Sequence, residues 1–198
     1  MMIVDISDLL EKKHLCKAIM QTKVFVYPTD TVYGIGCDAE NRELVKKILR
    51  IKKRSNLAMS VIAPSFKWIC ENFQIKGCED IIKNCLPGPY TLILNLKEKK
   101  KNYLRHISKK GKIGVRIPNH KISLAVNIGE KPIITTSANI SGFEAPKSLA
   151  EVPVEVIKKV DYVITQKTES CMGLASTIID CESRKIIRKG AGNLEINL

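Results

Sequence analysis

The chain has 198 residues, enough for one domain with a substantial core. It carries 33 basic and 20 acidic residues, a net charge of +13 that points to phosphates or nucleic acid as ligands. No apolar run approaches the ~20 residues of a bilayer-spanning helix, and the start MMIVDISDLL lacks the basic region of a secretory leader, so no membrane is expected and the setting is cytoplasmic.

Seven cysteines are scattered with no C-x-x-C pair, and three histidines include none at i, i+4. They are expected to be small buried thiols in a reducing compartment rather than disulfides or metal ligands.

In chain order, apolar positions at 6, 9, 10, 15, 18 and 19 predict a helix over 6–20. A strand in KVFVYP then runs into VYPTDTVYGIG, a turn richer in hydroxyls than a connection requires. Asn41 is a helix cap, and RELVKKILRIKKR predicts an amphipathic helix with its cations gathered at the C-terminal end. A short strand at 59–64, helices around 65–73 and 78–85, and a strand at 90–96 follow. The basic stretch 97–112 holds eight Lys or Arg and one acid, and reads equally as a solvated surface or a polyanion contact. Beyond it come a strand at 112–118, a helix in HKISLAVNIGE, a strand entering TTSANISG, a helix over 148–160, a strand in VDYVITQ and a hairpin turning at 181–184. The alternation gives an α/β domain with a mixed, twisted, open sheet.

Strand ends collect the chemistry. PTDTVYG follows the first strand, Lys52 and Arg54 end the basic helix, Arg116 interrupts an apolar strand, and 135–142 packs hydroxyls with Asn139. Ser176 and Thr177 open one late strand and Arg188 closes another. In open α/β sheets such ends border ligand crevices, where arginine forks grip oxyanions. A P-loop and a G-x-S-x-G elbow are both absent, and Gly34-Ile35-Gly36 matches a dinucleotide fingerprint only loosely.

Together VYPTDTVYGIG, RIKKRSN with AMSVI, LPGPYTLIL, GVRIP, ITTSANISG and ASTIID with IIRKGAG, in this order over 24–192, resemble the YrdC-like family, the threonylcarbamoyl-AMP synthases. The resemblance implies a single YrdC-like domain over 1–198 with flanking helices and a positively charged concave face. It implies that L-threonine, bicarbonate and ATP give threonylcarbamoyl-AMP and pyrophosphate, a nucleotidyltransferase step in the modification of ANN-decoding tRNAs. Magnesium would be bound mainly through the phosphates. A Kae1-type transferase or KEOPS-like complex would receive the adenylate, with tRNA or double-stranded RNA as a further partner.

By position, the resemblance assigns Thr31, Tyr33, Arg116, Thr135 and Ser176 to threonine. It assigns Lys52, Arg54, Ser137, Asn139 and Arg188 to ATP, with Lys52 and Arg54 carrying catalysis. Ser55 departs from the family's R-P-x-x-x-P-L, and Ala145 takes the place of a small residue that touches ATP. Asp30 is open between orienting a hydroxyl, touching a metal and capping the turn. The competing class is a non-enzymatic RNA-binding maturation factor, which the charge supports but the ten aromatics, without a basic-aromatic stacking motif, do not.

Overall fold

Strand-forming runs of three to six residues make one ten-stranded sheet in the computed structural model, which describes residues 1–54, 59–100, 103–108, 110–168 and 171–193. The strands are β1 (Met2–Asp5), β2 (Phe25–Tyr27), β3 (Gly34–Gly36), β4 (Ser60–Ile62), β5 (Tyr90–Asn95), β6 (Lys112–Arg116), β7 (Ile133–Ser137), β8 (Tyr162–Thr165), β9 (Thr177–Asp180) and β10 (Lys185–Arg188). Their order across the sheet is β1-β8-β2-β3-β7-β4-β6-β5-β9-β10. Parallel pairs such as β4 with β6 mix with antiparallel pairs such as β3 with β7, as the alternation of elements predicts.

Seven α-helices accompany the sheet among the described residues: α1 (Ile6–Glu11), α2 (Lys13–Thr22), α3 (Arg42–Ile51), α4 (Phe66–Asn72), α5 (Glu79–Cys85), α6 (Ile122–Gly129) and α7 (Val154–Ile157). Helix α3 forms as its sequence demands. Asn41 accepts from the backbone N–H groups of Glu43 and Leu44, both at 3.1 Å, and Val45, Ile48 and Ile51 form its buried stripe. It stops where Lys53 adopts a left-handed conformation (φ 52°).

Side chains alternate across the sheet and feed two cores. Val26, Ile35, Val61 and Ile134 join one large core with α3 residues Val45, Ile48 and Ile51. Phe25, Tyr27, Ile62 and Ile133 point the other way, into a smaller core with Ile6, Ile19, Met20 and Val126 from α1, α2 and α6. Across β6, β5 and β9 the first face stays apolar through Ile113, Val115, Leu92, Leu94 and Ile179. The opposite face does not: Gly114, Arg116, Thr91 and Ile178 line open cavities there. The second core therefore covers only half of its face.

Four local expectations change. The helix predicted over 6–20 is two helices, divided at Lys12, because residues 11–14 are all exposed and carry no apolar register across the join. The helix predicted over 148–160 is a short 3-10 turn and α7, because Pro153 lacks the N–H a continuous helix needs. The segment Gly34–Gly36, read as the end of the hydroxyl-rich turn, is a strand. Among the cysteines, Cys16, Cys37, Cys78, Cys85 and Cys181 are buried free thiols, whereas Cys70 is exposed.

The glycines of β3 serve packing. A Cβ on Gly36 would lie 2.4 Å from the Ile134 carbonyl oxygen, and one on Gly34 would lie 2.9 Å from the Tyr27 ring. Gly36→Ala should lower the unfolding free energy by about 1–3 kcal/mol in urea titration, and an unchanged midpoint would contradict this packing.

Candidate active site

The hydroxyl-rich turn shapes itself first. Thr29 Oγ1 accepts from the N–H groups of Thr31 (3.0 Å) and Val32 (3.2 Å), donates to the Val32 carbonyl (2.8 Å), and lies 2.9 Å from Thr31 Oγ1. This side-chain-to-backbone bonding is what short hydroxyl residues bring to a turn. The turn is then fastened to its neighbours: Tyr33 N–H donates to Pro146 O, and Met172 and Gly173 N–H donate to the carbonyls of Asp30 and Thr31.

Arg116 comes to the turn from the end of β6. Residues 113, 115 and 117 belong to the core, so strand alternation turns 116 to the cavity. Its Nη2 donates to Asp30 Oδ1 at 2.5 Å and its Nη1 to Thr31 Oγ1 at 3.1 Å. Arg116 and Asp30 are 5% and 9% exposed, which makes this a buried ion pair. Removing one member of such a pair costs about 3–5 kcal/mol, because the other charge is left without compensation in the interior. Arg116 Nε is buried with no hydrogen-bond partner among the described residues.

A second cluster braces the end of β7. The Lys52 ammonium, 2% exposed, donates to Ser137 O (2.5 Å), Asn139 O (2.8 Å) and Asn139 Oδ1 (3.2 Å). Ser137 Oγ donates to Asn139 Oδ1 at 2.5 Å, and Asn139 Nδ2 donates to Phe143 O. Burial, followed by the neighbouring Arg54 charge, pulls the Lys52 ammonium down to about 8. Its acceptors work against that pull, since all three favour the charged form.

The third cluster closes the far wall. Ser176 Oγ lies 2.8 Å from Thr91 Oγ1, and Arg188 Nη2 donates to Ser176 O at 2.7 Å. Thr177 Oγ1 accepts from Gly190 and Gly192 N–H, fixing the segment that follows β10. Burial and the Arg116 charge lower the Arg188 pKa, so the two guanidiniums feel each other across the site.

A cavity of about 290 Å³ joins the three clusters. Seven of the sequence-predicted residues line it: Thr31, Arg54, Arg116, Thr135, Ser137, Ser176 and Arg188. Lys52 and Asn139 lie behind this wall and brace it. Tyr33 faces the large core together with Ile35 and Cys37, opposite to the side on which Gly34 meets the cavity. The sequence reading missed Ser60 and Thr91, whose hydroxyls share the cavity face with Thr135. Their only advance signal is a single hydroxyl near the start of each of two largely apolar strands. Residues 55–58, where the sequence departs from the family pattern, lie outside the described residues, as do 101, 102 and 109 of the basic stretch.

Among the described residues the cavity lining carries three arginines and no carboxylate, so it favours anionic ligands. Past Met59, Ser60, Thr91 and Ile178 it continues into a compartment of about 500 Å³ bordered by Lys110 and Lys112. A larger groove of about 950 Å³ lies beyond Pro118. None of the three clusters faces it, and its histidine is already engaged: His120 Nε2 lies 2.5 Å from Gln166 Oε1, and Nδ1 accepts from Ile122 N–H. No group of three or more His, Cys, Asp or Glu that could hold a metal ion occurs among the described residues.

Known proteins resemble this chain in sequence and fold. The Sua5/YciO/YrdC family model, described as telomere recombination, matches residues 17–190. The chain is 40% identical to a candidate threonylcarbamoyl-AMP synthase of Methanocaldococcus jannaschii, over 92% of this chain and 86% of that one. It is 29% identical to the threonylcarbamoyl-AMP synthase of Vibrio parahaemolyticus, over 90% of this chain and 98% of the relative. The crystal structure of P. abyssi Sua5 complexed with L-threonine superposes with a TM-score of 0.80 at 27% identity, covering 96% of this chain. This chain spans 58% of that longer Sua5 chain. The protein belongs to the Sua5/YciO/YrdC family.

Proposed function

We propose that this protein is an L-threonylcarbamoyladenylate synthase. L-threonine and bicarbonate condense to a carbamate with loss of water. A carbamate oxygen then attacks the α-phosphorus of ATP, and the bond to pyrophosphate breaks. The observation that carries the reading is the cavity itself: a hydroxyl turn ion-paired to Arg116 on one side, with Arg54, Ser137 and Arg188 lining the same space. The relatives' names and the L-threonine of the Sua5 complex support the same chemistry.

In this reading Arg116, Thr31, Thr135 and Ser176 hold the amino acid, whose carboxylate matches a planar guanidinium. Arg54, Ser137 and Arg188 receive the nucleotide phosphates. Lys52 and Asn139 act on them through the 137–139 loop, and Tyr33 supports the turn from the core. The carbamate is the nucleophile, so the protein needs none of its own. Its contribution is to bring two reactants together and to stabilise charge on the transferring phosphoryl group and the departing pyrophosphate.

The residues lining the cavity do not form a protein-held cation site. In this reading magnesium enters as the ion carried on the ATP phosphates. The product is a mixed carbamic–phosphoric anhydride, open to attack by water, which favours direct transfer to a Kae1-type transferase or KEOPS-like complex acting on tRNA. This assigns the protein to the cytoplasm, and no helix among the described residues is long and apolar enough to cross a membrane. Two compartments of about 290 and 500 Å³ suit small ligands better than an RNA helix, so an RNA-binding maturation factor is not favoured.

Pyrophosphate release from ATP should require both L-threonine and bicarbonate. Arg54→Ala and Ser137→Ala should each lower it by about tenfold or more while circular dichroism stays unchanged; wild-type rates from both would remove these assignments. The Lys52 value of about 8 sets the pH dependence. As pH rises through about 8 the ammonium loses a proton and one of its three acceptors loses its donor, so kcat/KM should fall on that alkaline limb. Lys52→Arg, which stays charged, should lack the limb. A level profile from pH about 7 to 9.5 would contradict the assignment.

A further inference from the structure

Asp30 has three conceivable tasks, and two are already accounted for. It is not needed as the turn cap, because Thr29 Oγ1 accepts from both N–H groups of the turn. It is poorly placed as a metal contact, because each carboxylate oxygen already has a donor. Oδ1 faces Arg116 Nη2 at 2.5 Å, and Oδ2 accepts from Asn119 N–H at 2.9 Å.

The third task, orienting a hydroxyl, does not fit either, because both donors to the carboxylate are nitrogens; what it holds is Arg116. A guanidinium is a rigid planar fork, so two contacts from consecutive residues fix both its position and its plane. Asp30 takes Nη2 and Thr31 takes Nη1. Asp30 also ties this pair to the segment after β6 through Asn119, so one carboxylate links the β2–β3 turn to the chain entering α6. It answers a repulsion as well, since Arg188 lies close enough for the Arg116 charge to lower its pKa. A lone arginine there would turn away from Arg188 and toward any other acceptor.

The geometry points to Asp30 as the positioning residue for Arg116, holding the guanidinium in the plane that receives the carboxylate of the amino-acid substrate. This deepens the proposed function and rests on it. Asp30 touches no reacting atom. Its effect falls on amino-acid recognition before the nucleotide, because Arg54 and Ser137 are held by other elements and Arg188, though it feels the Arg116 charge, is fixed separately by the Ser176 carbonyl. Asp30→Asn keeps the size and an acceptor for Asn119 N–H but removes the charge that anchors the fork.

The test is L-threonine binding by calorimetry, together with steady-state kinetics of pyrophosphate release. Asp30→Asn should weaken L-threonine binding and raise its KM by about tenfold or more. KM for ATP should stay within about twofold of wild type. Loss of the buried pair lowers the melting temperature under either role; a merely structural role would also move both KM values together, and that outcome overturns the inference, as does wild-type threonine affinity. If Asp30→Asn does not fold, Asp30→Glu carries the test. It keeps the charge but is one methylene too long to serve Arg116 and Asn119 together, so it should raise the threonine KM by about threefold or more, and a wild-type value overturns the inference. A wild-type protein that neither binds L-threonine nor releases pyrophosphate would defeat the proposed function instead, so the two failures are distinct.

Discussion

The site depends on one constraint: an arginine taken out of water at the end of an apolar strand. Arg116 follows Ile113 and Val115 in β6 and is buried like them, though slightly less completely, so its charge must be answered inside the protein. Asp30 answers it, and that single pairing decides much of the surrounding geometry. It draws the β2–β3 turn over the strand end, aims the Thr31 hydroxyl at the guanidinium and holds the backbone at Asn119. The turn can accept this role because Thr29 has already closed it internally. A cationic, precisely oriented donor set is thus produced from a strand, a turn and one carboxylate.

The cavity itself arises from a change of composition along the sheet. Where Phe25, Tyr27, Ile62 and Ile133 face α1, α2 and α6, large apolar side chains close a second core. Farther across, the same face presents Ser60, Thr91, Gly114 and Thr135, which are too small and too polar to recruit a covering layer. The other face stays apolar throughout and keeps the sheet rigid beneath the site. A crevice floored by strands and walled by three clusters that each hold a cation follows from that asymmetry. Its walls are fastened to each other by backbone hydrogen bonds, as between Tyr33 and Pro146 or between Gly173 and Thr31.

Most of the sheet order is invisible to local pattern, yet the element types were largely legible because strands and helices carry different periods. The helix behind Asn41 was readable to its cap, since an Asx residue, an apolar stripe and a basic end agree. Strand β3 was not, because two of its three residues are glycines whose reason is long-range contact with Tyr27 and Ile134. Among site residues, seven converge on one cavity as their position at strand ends suggests. Tyr33 illustrates the limit: membership of a motif does not say which face of the chain a side chain takes, and alternation with Ile35 and Cys37 sends it into the core. Lys52 shows another, since a cation in a basic run gives no sign that backbone carbonyls will claim it. Ser60 and Thr91 looked like ordinary strand hydroxyls until the sheet brought them together.

The central claim is that this cavity joins an amino acid, bicarbonate and a nucleotide into one mixed anhydride. Nuclear magnetic resonance with ¹³C-bicarbonate, L-threonine and ATP tests it most directly. The account predicts a carbamoyl ¹³C signal coupled to the phosphorus of AMP that forms only when both L-threonine and ATP are present. Nucleotide turnover with the label remaining in bicarbonate would contradict it.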